Sequence, residues 1–101
     1  MDPDKPDLSI ADVVISTAGR DAGKLFYVIE ADDLYLLLVN GKDRTMEKPK
    51  RKKRKHTKKV LRSETRVAEK LRSGDKVLSS ELRRDLAYLS REMQSKAQEV
   101  I

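Results

Sequence analysis

Two glycines, Gly19 and Gly23, bracket Arg20 and are followed at once by Lys24 in the stretch TAGRDAGKLF of residues 17–26. Glycine-rich backbone beside a lysine is one way proteins cradle phosphate, so the first question is whether a nucleotide binds here. A P-loop needs four residues between its glycines and a hydroxyl residue after the lysine to hold magnesium. Here three residues separate Gly19 from Gly23, and Leu25 follows Lys24. The sequence then runs on as an apolar strand, not as a helix whose N-terminus could receive phosphates. The stretch is therefore read as a strand–loop–strand connection whose glycines permit positive φ. Arg20 and Lys24 would project from it toward the phosphates of a larger polyanion.

A second group of residues points the same way. Residues 48–62 hold ten Lys or Arg and no acid, whereas residues 1–47 hold ten acids against five bases and residues 63–101 are nearly balanced. Nearly all of the formal charge of +6 thus comes from one short segment, as in an interaction arm. Its candidate contacts are Lys48, Lys50, Arg51, Lys52, Lys53, Arg54, Lys55, His56, Lys58 and Lys59. Like charges this dense repel, so the run is expected to be extended or mobile until a polyanion neutralises it. Each cation placed on a phosphate releases a condensed counterion, which makes affinity fall steeply with salt. A nuclear localisation signal, an anionic membrane surface and a solvated linker are competing readings. No apolar wedge or lipid-anchor motif accompanies the run.

Other chemistry finds little footing. Cysteine is absent and His56 is the single histidine, so neither a disulfide framework nor a Cys/His metal site can be assembled. No nucleophile–base pair and no carboxylate pair in an apolar setting is visible, so a non-enzymatic protein without cofactor is expected. No apolar stretch reaches transmembrane length, and the acidic start MDPDKPDLSI differs from a secretory signal. A soluble cytoplasmic protein with no membrane partner is expected.

The elements that must position these residues change character along the chain. Residues 1–11 read as a frayed leader. Residues 12–17, 24–31 and 34–39 are rich in β-branched, aromatic and aliphatic residues over strand-like lengths. Asp32-Asp33 and Asn40-Gly41 are turn signals, the latter favouring a two-residue type I′ hairpin. A fourth strand is then expected at 44–47, pairing back onto 34–39, with a fifth around 59–62. The strands are short and apolar on both faces in places, which suits a small, strongly curved sheet or barrel. From Ser63 the period becomes helical. Ser63 is the expected N-cap of a first helix that stops at Gly74. In residues 79–100, Leu82, Leu86, Leu89, Met93 and Ala97 recur at spacings of three and four and draw one apolar stripe. That stripe packs on the sheet and first helix, or it docks a protein partner.

The sequence DVVISTAGRDAGKLFYVIEADDLYLLLV of residues 12–39 resembles a KOW motif: an apolar strand, a loop with a key glycine beside basic residues, and a second apolar strand. Gly23 matches that glycine. Together with the basic continuation to His56, the chain resembles the KOW-containing ribosomal proteins of the large subunit and their small bacterial RNA-binding relatives, over residues 12–62. The resemblance implies an SH3-like β-barrel and binding to ribosomal RNA of the large subunit, with ribosomal proteins as neighbours. Contacts are implied at Gly19, Arg20, Gly23, Lys24 and the basic run. The expected organisation is a leader (1–11), a KOW/SH3-like barrel with its basic arm 48–59 (12–62) and a two-helix extension (63–101). The fold class is thus mainly β with α. Two other functions stay open: an adaptor that recruits a protein through Leu82, Leu86, Leu89 and Met93, and general or transcription-elongation-related RNA binding.

Overall fold

The apolar runs of residues 25–29 and 35–39 become strands buried on both faces, which is why they read as continuous and not alternating. The computed structural model describes residues 8–99, the side chains of 96–99 excepted. Five strands, β1 (Asp12–Ser16), β2 (Leu25–Ala31), β3 (Tyr35–Val39), β4 (Lys50–Lys53) and β5 (Thr57–Arg62), are followed by helices α1 (Arg66–Ser73) and α2 (Ser79–Glu99). All neighbouring strands pair antiparallel in the order β4-β3-β2-β1-β5. A single 3₁₀ turn, Arg54–His56, joins the two edge strands. Three residues span only ~10 Å, whereas the edges of a flat five-stranded sheet would lie ~19 Å apart. The sheet must therefore roll. Bulges at Ile29 in β2 and Val60 in β5 add the curvature. No ladder joins β4 to β5 among the described residues, so the sheet is rolled but open.

Successive side chains serve two cores. Val14, Phe26, Val28, Leu36 and Leu38 form one, against which Leu8 packs. Ala11, Val13, Tyr27 and Val39 form the other with Val67, Ala68, Leu71, Val77, Leu82, Leu86 and Leu89 of the helical segment. The leucine stripe of α2 is thus occupied within the chain: Leu82, Leu86 and Leu89 are buried and Met93 is half-buried. Ala97 lies outside the described side chains. Within the expected leader, Ala11 is fully buried and Leu8 packs on the core; residues 1–7 lie outside the described residues.

Three local expectations are corrected. The fourth strand is not 44–47 but β4, after a ten-residue loop over 40–49. The Asn40 side chain explains the shift: its Oδ1 accepts from the backbone of Lys42 and Arg44, and its Nδ2 donates to Asp43. This wider turn replaces the two-residue hairpin, and Pro49, which lacks a ladder donor, delays pairing until Lys50. Gly41 has φ 75°, and a Cβ there would strike the Ser79 carbonyl oxygen and come within 2.8 Å of Leu82 Cβ. The loop is therefore where the start of α2 seats itself. The cap of α1 is Thr65, whose Oγ1 accepts from Ala68, and not Ser63. Finally, the basic run is no mobile arm but β4, the 3₁₀ turn and β5. Gly74 ends α1 in the left-handed region as expected.

Ser63 has other work. The Tyr27 hydroxyl contacts the Asp85 carboxylate and lies 2.8 Å from Ser63 Oγ, while Thr65 Oγ1 donates to the same carboxylate at 2.8 Å. Burial, with the Asp85 carboxylate beside it, pushes the Tyr27 phenol up to about 12. This cluster bolts the sheet to both helices. Tyr27→Phe is expected to cost about 1–3 kcal/mol, measured as a lowered urea midpoint without a change of slope.

Candidate nucleic-acid interface

The glycine loop is built as a pinned turn. Gly19 and Gly23 have φ 84° and 88°, and both are exposed. Between them Asp21 turns inward, accepting from Ser16 Oγ at 2.7 Å and from Lys52 Nζ at 2.6 Å. Lys52 Nζ also donates to the Ala18 carbonyl, and Lys50 Nζ lies 3.5 Å from the other Asp21 oxygen. Burial works to raise the Asp21 carboxyl, but the Lys52 and Ser16 hydrogen bonds and the two lysine charges outweigh it and bring it down to about 2. The consequence is that Arg20 and Lys24 are held outward on a rigid loop. Among the described residues the ion-pair partner of Lys24 is Asp43, at 3.3 Å and half-exposed, a pair weak enough to exchange for a phosphate.

The strand pleat sorts the basic run. Lys50 and Lys52 face Asp21. Arg51 and Lys53 share the other face with Tyr35, and the Arg51 guanidinium stacks 3.7 Å from the Tyr35 ring centroid. Arg54 donates to the Asp32 carbonyl at 2.7 Å, Lys59 lies 3.3 Å from the fully buried Asp12, and His56 is half-buried with its carbonyl receiving Thr17 N–H. Lys52 is only 7% exposed, so it belongs to the frame and not to the surface. Lys48, Lys53, Lys55 and Lys58 are exposed, and no ion pair among the described residues engages them.

Two hollows lie along this surface. A cleft of about 230 Å³ is lined by Arg20, Lys24, Arg44 and Lys50 around Asp21 and Asp43. A groove of about 960 Å³ opens beside the 3₁₀ turn, with Leu8, Leu34, Tyr35 and Val60 exposing apolar surface and Lys53, Lys55 and Lys58 among the basic residues around it. Leu34 is 67% exposed, unusual for so apolar a side chain. The turn that places it is fixed by Asp32, whose Oδ1 accepts from Leu34 and Tyr35 N–H, bonds that hold its carboxyl below the usual range. Asp32-Asp33 forms the turn expected from sequence, whereas Leu34, Tyr35 and Val60 of the groove and Arg44 of the cleft are lining residues that the sequence does not single out. An exposed leucine directly after a turn was the one available signal.

Neither a family model nor a curated protein matches this chain. Among the described residues no helix is long and apolar enough to cross a membrane.

Proposed function

We propose that this chain is an RNA-binding protein of the SH3-like, KOW-bearing kind that associates with the ribosome through ribosomal RNA of the large subunit. The observation that carries the reading is the row of exposed lysines Lys53, Lys55 and Lys58 around the β4–β5 turn, lying along one segment with Lys48. Arg20 and Lys24 on the pinned loop add two further exposed cations. The resemblance over residues 12–62 directs the choice of RNA over other polyanions. The adaptor reading is weaker, because Leu82, Leu86 and Leu89 already face the chain's own core.

The test is binding of the purified protein to ribosomes and to ribosomal RNA across a salt series. With Arg20, Lys24, Lys48, Lys53, Lys55 and Lys58 on phosphates, affinity should fall roughly a thousandfold between 50 and 200 mM salt. A flat salt response, or no binding at low salt, sinks the proposal.

A further inference from the structure

The β4–β5 groove has a composition that phosphate binding alone does not need. Its floor carries Leu8, Leu34, Tyr35 and Val60, and its basic rim includes Lys53, Lys55 and Lys58. A double-helical RNA presents only phosphates, hydroxyls and groove edges, and would leave this apolar surface wet. From this we infer that the groove receives an unpaired, extruded base of the bound RNA, with the flanking phosphates on the lysine rim; the inference rests on the RNA-binding reading above.

Three observations favour a nucleotide over an acidic, apolar peptide, the other ligand that a greasy floor with a cationic rim could take. Tyr35 is a flat platform already braced by the Arg51 guanidinium at 3.7 Å, so a base adds to an existing stack at small ordering cost. Asp33 also lines the groove. Its carboxylate can accept from the exocyclic amino group of adenine, guanine or cytosine, a contact that the carboxylate side chains of an acidic peptide cannot make. The volume of about 960 Å³ leaves room for a base together with its sugar. The groove thus tells a bulge or loop from continuous duplex, a distinction the surrounding lysines cannot make.

The experiment compares a fully paired RNA hairpin with the same hairpin carrying a bulged fluorescent adenine analogue, using the full chain and two variants, Tyr35→Leu and Leu34→Ser. The wild type should bind the bulged hairpin about tenfold more tightly, the value of one stacked base, and change the analogue's emission. Both variants should lose that preference and that emission change while keeping their affinity for the paired hairpin. Equal binding of the two hairpins by the wild type, or a preference that survives both substitutions, overturns the groove assignment and leaves the RNA reading standing. Displacement of the bulged RNA by an aspartate- and leucine-bearing peptide that binds more tightly than it does overturns it as well. Failure to bind either hairpin strikes at the RNA reading itself, and the groove assignment falls with it.

Discussion

A chain carrying Lys53→Glu, Lys55→Glu and Lys58→Glu is expected to fold like the wild type and to lose co-sedimentation with ribosomes at moderate salt. All three side chains are exposed, and no ion pair among the described residues holds them, so reversal breaks no internal contact. Exposed substitutions of this kind usually shift stability by no more than about 0.5 kcal/mol. Removing three phosphate contacts lowers the salt slope by about 2 to 3 and the affinity near physiological salt roughly a hundredfold. Repulsion from the new carboxylates adds to the loss. Thermal melts and sedimentation across a salt series give both halves of the result. Undiminished sedimentation by a folded triple variant would show that this face is not where the polyanion sits.

Lys52 behaves in the opposite way although it lies in the same run. Lys52→Ala leaves Asp21, itself only 7% exposed, without its closest cation. Breaking a buried pair from one side costs about 3–5 kcal/mol, a large share of the stability of a domain this small. The loop over residues 17–24 should loosen with it, since Lys52 also holds the Ala18 carbonyl. The pH dependence has a definite sign. The Asp21 carboxyl lies at about 2 in the folded chain against an ordinary 3.8. Its contribution is therefore present above pH 4 and is lost as the pH falls from 4 toward 2, by roughly 2 kcal/mol. Acid titration of stability should show that step in the wild type and not in Asp21→Asn. A Lys52→Ala chain as stable as the wild type would mean that the pair frames nothing.

These two outcomes bear on how the basic run is read. From sequence, neutralising residues 50–55 is expected to remove binding and spare the fold. The structure predicts instead that such a change mixes two effects, because Lys52 is frame and Lys53 and Lys55 are surface. Strands β1, β2, β3 and β5 and both helices were legible, since each carries an apolar pattern that local periodicity reveals. Strand β4 was not, because KRKK has no apolar residue to betray it. What makes it a strand is non-local: Leu36 and Leu38 stand opposite Lys52 and Lys50, and Asp21 waits across the fold. Apart from Arg44, the candidate cations are all identifiable from the sequence. Which of them are already engaged depends on Asp12 and Asp21, more than thirty residues earlier for the closest pairs, Lys52 with Asp21 and Lys59 with Asp12, and charge counting cannot see that. The groove was hidden for a similar reason, because Val60 contributes from a bulge and Leu8 from what looked like a tail.

The rolled sheet leaves β4 and β5 as its two edges, and these are the strands that carry the positive charge. An open edge is a template for strand addition by another copy, and lysines along it are a common deterrent. Two such molecules approaching edge to edge bring the exposed Lys53 of β4 or Lys58 of β5 on each side toward like charge. On the proposed function, colloidal behaviour and occupancy by the polyanion are therefore linked. The protein's own charge opposes such joining; where the proposed polyanion cancels that charge, the bound polymer must itself cover the edges, or the complexes become able to join strand to strand.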